Sequence, residues 1–140
     1  MIKKFNIILV IFLFSTSLFA KNKYMQEGIN LFKEKKFEQA KFKFEQEIVI
    51  NPKSETSYLY LSKIFKKLDK KELQEQNLNT VILLNPKNEE AIYLLTLLNI
   101  KISNFSKAKE LIVSFNSVCK KMCSSKLELQ SRLDNSLKSE

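Results

Sequence analysis

Ile48-Val49-Ile50-Asn51-Pro52-Lys53 and Ile82-Leu83-Leu84-Asn85-Pro86-Lys87 are two copies of one pattern, 34 residues apart. In each, three apolar residues run into Asn-Pro-Lys. Proline lacks the amide donor a continuing helix needs and clashes with the preceding turn, so an apolar run ending in Asn-Pro reads as a helix being stopped. A stop repeated at this period marks stacked helix–turn–helix repeats, because one helical pair cannot bury its apolar face alone and must stack on a copy of itself.

The period holds elsewhere. Tyr24 returns as Tyr58 and Ile92, Leu31 as Phe65, Phe44 as Leu78 and Ile112, and Val81 as Phe115. Phe37 and Ala40 come back at twice the period as Phe105 and Ala108. The repeats run 21–54, 55–88 and 89–122, roughly three quarters of the 140-residue chain. Tyr24, Gly28, Leu31, Ala40, Phe44 and Pro52 match the aromatic, glycine, large apolar, alanine, aromatic and proline positions of the tetratricopeptide repeat, a family the chain therefore resembles. The resemblance implies an all-α fold, a right-handed superhelix of three such repeats with a C-terminal capping helix. Some positions depart from it. Glu27 stands where the family prefers leucine, and Ser62 and Thr96 replace Gly28. Lys71 and Gln74 take the places of Phe37 and Ala40, and the third repeat ends in Cys119-Lys120 instead of Asn-Pro.

Helices follow from the residues alone as well. Tyr24, Gly28 and Leu31, with Met25, Ile29 and Phe32 beside them, recur at helical spacing, as do Phe37, Ala40, Phe44 and Ile48. Ser54 and Asn88 suit N-caps, and Glu89 and Glu90 fall in a first turn, where the helix dipole favours acids. One glycine and two prolines leave little material for hairpin turns, which points to an all-α class. Six helices are expected, with breaks near 35–36, 51–53, 68–71, 85–87 and 103–104.

Residues 1–20 differ in kind. Lys3 and Lys4 precede an apolar stretch from Ile7 to Phe14, followed by Ser15, Thr16, Ser17 and Ala20. That is the layout of a secretory signal peptide with cleavage after Ala20. The alternative is an uncleaved membrane anchor, although the stretch is short for a span. The chain is thus similar to exported bacterial members of the family, and the expected location is the periplasm, with membrane contact only if residues 1–20 stay attached. Cleavage removes two lysines and no acid, taking the formal charge from +9 to +7. Arg132 is the only arginine, whereas nucleic-acid readers lean on arginine for bidentate contacts; this and export argue against a nucleic-acid partner.

Cys119 and Cys123 are the only cysteines, and 123–140 forms the last segment of the chain. In an oxidising compartment they are a candidate disulfide across a turn, a local staple worth about 1–2 kcal/mol. Free thiols, or a redox or copper(I) role with Met122 between them, are the alternatives. No other metal or cofactor is expected: the chain has no histidine, and one glycine cannot build a phosphate loop. Glu38, Glu45 and Glu47, like Glu72 and Glu75, lie among lysines on faces read as polar, so no carboxylate pair stands out as catalytic and the protein is read as a non-enzyme.

In the family resembled, the first helix of each repeat lines a concave groove. That implies groove positions at Met25, Ile29 and Phe32, then Leu59, Lys63 and Lys66, then Tyr93, Leu97 and Ile100, with apolar walls flanking a lysine pair. Such a groove suits a protein or peptide with apolar anchors and a central acidic group. The family's carboxylate clamp is not carried over, because Met25, Ile29, Glu90 and Leu94 occupy its places. The reading is an exported scaffold or assembly factor. Its alternatives are a membrane-tethered adaptor of an envelope machine, of cytochrome-maturation or secretion type, and a redox or metal protein. Beyond the repeats, Leu129, Leu133 and Leu137 recur every four residues among polar ones, an amphipathic helix expected to lie on Leu111, Ile112 and Phe115 and to cap a monomer.

Overall fold

The computed structural model describes residues 23–138; the signal or anchor read at 1–20 lies outside them. Among the described residues there are seven α-helices and no strand. They are α1 (Lys23–Lys33), α2 (Phe37–Ile50), α3 (Glu55–Lys67), α4 (Lys71–Leu84), α5 (Glu89–Lys101), α6 (Phe105–Val118) and α7 (Lys126–Lys138), with a 3-10 turn at Cys123–Ser125. Every expected break falls between two of these helices, save that Lys71, the last residue of the 68–71 break, already opens α4.

The turns repeat as backbone. Lys35, Asp69 and Ser103, each 34 residues from the next, adopt left-handed φ of 60°, 51° and 56°. The residue after each donates its N–H five residues back: Lys36 to Leu31, Lys70 to Phe65 and Asn104 to Asn99, all at 2.9 Å. This Schellman closure satisfies carbonyls that the helix end would otherwise leave orphaned. Glycine is its usual residue, and none of the three is glycine. The second helices end alike too, with the N–H groups of Asn51, Asn85 and Cys119 reaching Glu47, Val81 and Phe115. Cys119 is therefore the third copy of the asparagine position.

The start signals are uneven. Asn88 Oδ1 accepts the N–H of Ala91 at 2.8 Å, as its place in the sequence predicts. Asn104 does the same for Lys107 at 3.3 Å, whereas Lys36 and Lys70, its counterparts, make no side-chain cap. The Ser54 hydroxyl pairs with the Ser57 hydroxyl at 2.8 Å.

The residues form two compact units that divide within α3, after Tyr60. In the first, α1 lies against α2. Gly28 makes this possible: a Cβ there would sit 2.9 Å from the ring of Phe44, which is itself fully buried. Tyr60 stacks on Phe44 with centroids 5.0 Å apart, and Phe32 meets Phe37 and Tyr60 edge-on. Ala40, Phe44 and Glu47 form the inner face of α2. Glu47 differs from the polar-face reading, being 1% exposed with Oε2 lacking a hydrogen-bond partner. The spacing explains it, since 40, 44 and 47 share one stripe of a helix. Its repeat counterparts are Val81 and Phe115, both buried.

In the second unit α5 lies against α4 and α6, and α7 lies against α5 and α6. The core holds Leu78, Val81, Ile92, Leu95, Ala108, Ile112 and Phe115. Gln74 is buried in the place that Ala40 and Ala108 hold in the other repeats. Asn99, counterpart of Leu31 and Phe65, is fully buried; its amide donates to the Leu95 carbonyl at 2.9 Å, while its Oδ1 has no partner. Leu129 and Leu133 of α7 are buried, and Leu137, the third of the stripe, is 41% exposed near the helix end.

Candidate functional site

Met25, Ile29 and Phe32 are half-buried along α1, and Leu59 is half-buried on α3; all four belong to the first unit. Phe32 is already engaged by the Phe37 and Tyr60 rings. Lys63, Lys66, Tyr93, Leu97 and Ile100 belong to the second. Lys63 reaches Glu90 at 2.8 Å. The Tyr93 hydroxyl donates to Glu128 of α7, 3.1 Å from each carboxylate oxygen. Burial, and then the Glu128 carboxylate, push the Tyr93 phenol above its ordinary pKa.

Lys66, Leu97 and Ile100 come together. With Leu94, Leu98, Lys101 and Gln74, and with Arg132, Asn135 and Ser136 of α7, they line a groove of about 500 Å3. The four hydrophobic residues come from one helix, because 94, 97, 98 and 101 share a face of α5 with Ile100 beside them. Three cations line the groove and no acid does. Lys101 pairs with Asp69 at 2.8 Å and Arg132 with Glu128 at 2.9 Å, while Lys66 has no carboxylate within ion-pair distance among the described residues. The α7 contribution was missed in the sequence, where this helix reads only as a cap. The signal available was the polar run Arg132, Asn135 and Ser136 at helical spacing along one flank of the leucine stripe.

At the other end of α5, the Glu89 carboxylate accepts the N–H of Met122 at 2.8 Å and of Lys121 at 2.9 Å. These bonds, led by that of Met122, hold the carboxyl below its ordinary 4.5. Cys119 and Cys123 bracket the same loop, with Cα atoms 5.2 Å apart and the two sulfurs adjacent. Among the described residues no group of three or more His, Cys, Asp or Glu is placed to hold a metal ion. No helix among them is long and apolar enough to cross a membrane.

No protein-family model matches the sequence, and no curated protein does. Solved structures do. The TPR2B domain of yeast Sti1, in complex with an Hsp70 peptide, superposes with a TM-score of 0.75 at 16% identity, over 86% of this chain and 98% of that one. The Arabidopsis OM64 TPR domain gives 0.74 at 17%, over 83% and 95%. The Yersinia enterocolitica type III secretion chaperone SycD, bound to a peptide of the translocator YopD, gives 0.74 at 14%, over 85% and 94%. At such identities the likeness speaks for the fold, and the fold is that of a tetratricopeptide-repeat domain. Domains of this class include peptide binders, as the Sti1 and SycD complexes are.

Proposed function

We propose that the protein is a non-catalytic interaction module that holds a peptide or protein segment in the groove between α5 and α7. The observation that carries this reading is the pairing of a leucine- and isoleucine-lined floor with Lys66, Lys101 and Arg132 and no acid. Apolar burial supplies affinity, and the cations select an acidic group beside the anchor. The segment that fits presents one or two large apolar side chains next to a glutamate or aspartate. Met25, Ile29, Phe32 and Leu59 are a separate half-buried apolar set in the first unit.

The protein works outside the cytoplasm, as a scaffold or assembly factor of the cell envelope, released by cleavage after Ala20 and monomeric. The layout of residues 1–20 supports this, and so does the placement of Cys119 and Cys123, which a disulfide would close. The N-terminus of the protein isolated from cells decides between release, which starts it at Lys21, and a tether, which leaves Met1.

The groove is tested with a panel of dodecamer peptides carrying leucines at i and i+4 and a glutamate between them, read by fluorescence anisotropy. Leu97→Glu and Lys66→Glu should each weaken the best peptide at least about tenfold, a loss of roughly 1.4 kcal/mol. Val113→Glu, on the exposed side of α6, should leave it unchanged. Binding indifferent to both groove variants would refute the assignment.

A further inference from the structure

The second unit has an end at which α4 and α6 finish and α5 and α7 begin. The 85–88 turn joins α4 to α5 there, and Glu89 ties the 119–123 loop to the start of α5 through the Lys121 and Met122 amides. Lys126, the first residue of α7, reaches back to the Asn116 carbonyl near the end of α6. Two leucines at this end are almost bare: Leu83 and Leu127 are each 82% exposed. Lys87, Lys120 and Lys121, in the turns at this same end, are exposed; none is within ion-pair distance of a carboxylate among the described residues, and the charge of Lys121 acts on Glu89. The nearby acids are committed elsewhere, Glu89 to the loop amides, Glu90 to Lys63 and Glu128 to Tyr93 and Arg132.

We infer that this end of the second unit docks on an anionic lipid surface, Leu83 and Leu127 entering the headgroup–acyl boundary and the lysines meeting lipid phosphates. Charge complementarity names the occupant. Lysine is a compact, freely swinging point charge that suits a diffuse layer of phosphates better than a fixed bidentate ligand, and its stem can lie along the boundary while the ammonium stays in water. Isolated large apolar side chains ringed by lysines are how a folded domain sits in a membrane interface without spanning it. The first unit repeats the device, with Val49 80% exposed four residues before the exposed Lys53. The groove lies toward the opposite end of α5, at Leu97, Ile100 and Lys101, so docking leaves it open.

The chain contains no tryptophan, so an introduced indole reports alone. In the full chain, Leu83→Trp and Leu127→Trp are mixed with phosphatidylglycerol vesicles carrying brominated acyl chains, and with phosphatidylcholine vesicles brominated alike. Ile102→Trp, at the far end of α5, is the reference. The expected result is at least twofold quenching at positions 83 and 127 on phosphatidylglycerol only, relieved by 0.5 M salt, since such attraction is screened. Position 102 should stay bright. If the chain binds vesicles but 83 and 127 are quenched no more than 102, residues 1–20 or another face hold it, and the inference fails. Equal quenching on phosphatidylcholine also overturns it, as does the absence of binding, which would leave this end to a protein partner.

Discussion

Glu89 and Met122 are 33 residues apart in sequence and joined by a 2.8 Å bond from the Met122 amide to the Glu89 carboxylate. Glu89 opens α5, so its charge also lies where the helix dipole favours it. One side chain thus serves its own helix and the loop that leads into α7.

The pH dependence follows from the direction of the shift. The Glu89 carboxyl is held below its ordinary 4.5, so its contribution is complete above that value and is lost as pH falls through the lower, folded-state value. Hydrogen exchange at the Lys121 and Met122 amides, corrected for the intrinsic slowing of exchange in acid, should be retarded at pH 6 and should lose that retardation in acid before the amides of α5 do. Glu89→Gln should accelerate it at pH 6 and remove most of the acid step. Equal protection in the variant at pH 6 would show that the loop is held by something else.

The left-handed turns predict gains. Lys35→Gly and Ser103→Gly place glycine where φ is already 60° and 56°, each replacing an exposed residue. Relief of the Cβ clash should outweigh the extra unfolded-state freedom and stabilise by about 0.5–1 kcal/mol each. Urea midpoints measure this. Glycine at the exposed, mid-helix Lys109 should lower the midpoint instead.

Glu47 is buried in the first unit with one carboxyl oxygen unpartnered. Glu47→Met keeps its length and removes a buried carboxylate whose Oε2 has no donor. The variant should be more stable by about 1–3 kcal/mol, because an unpaired buried polar atom keeps its full desolvation cost. A lower denaturation midpoint would mean that the other oxygen holds the unit together.

Leu129 and Leu127 lie two residues apart on opposite sides of α7, one fully buried and one 82% exposed. Leu129→Ala should destabilise by about 2–5 kcal/mol, and Leu127→Ala by less than about 0.5. Truncation after Met122 should leave a less stable, aggregation-prone monomer. A truncated protein that passes from dimer to stable monomer would make α7 a dimer seam instead of a cap.

What the sequence makes legible here is whatever the apolar period controls. The helix limits were readable because Asn-Pro stops and the 34-residue spacing act locally, and the Asn88 cap because its acceptor reaches only three residues ahead. The weakly matching middle repeat still folds as a helical pair, its α3–α4 turn closed by backbone bonds that any residue can supply. Glu47, Gln74 and Asn99 were not readable as core. A polar side chain carries no mark of burial, and only the stripe it shares with Phe44, Leu78 or Leu95 places it inside. The groove was readable in part: Lys66, Leu97 and Ile100 follow from the repeat, whereas Arg132 and Asn135 depend on where α7 comes to rest. The bond from Met122 to Glu89 has no local signature at all.

The 3-10 turn at Cys123–Ser125 has a consequence for the last helix. The first helices of successive repeats begin at Glu55 and Glu89, and the same step would begin the next at Cys123, yet α7 begins at Lys126. The start is later but the phase is kept: Leu129 falls 34 residues after Leu95 and 68 after Leu61, Leu133 stands in the same relation to Asn99 and Phe65, and all six are buried. These three residues delay the helix without changing the face it buries, so α7 stands in the register of a first helix while it covers the third repeat.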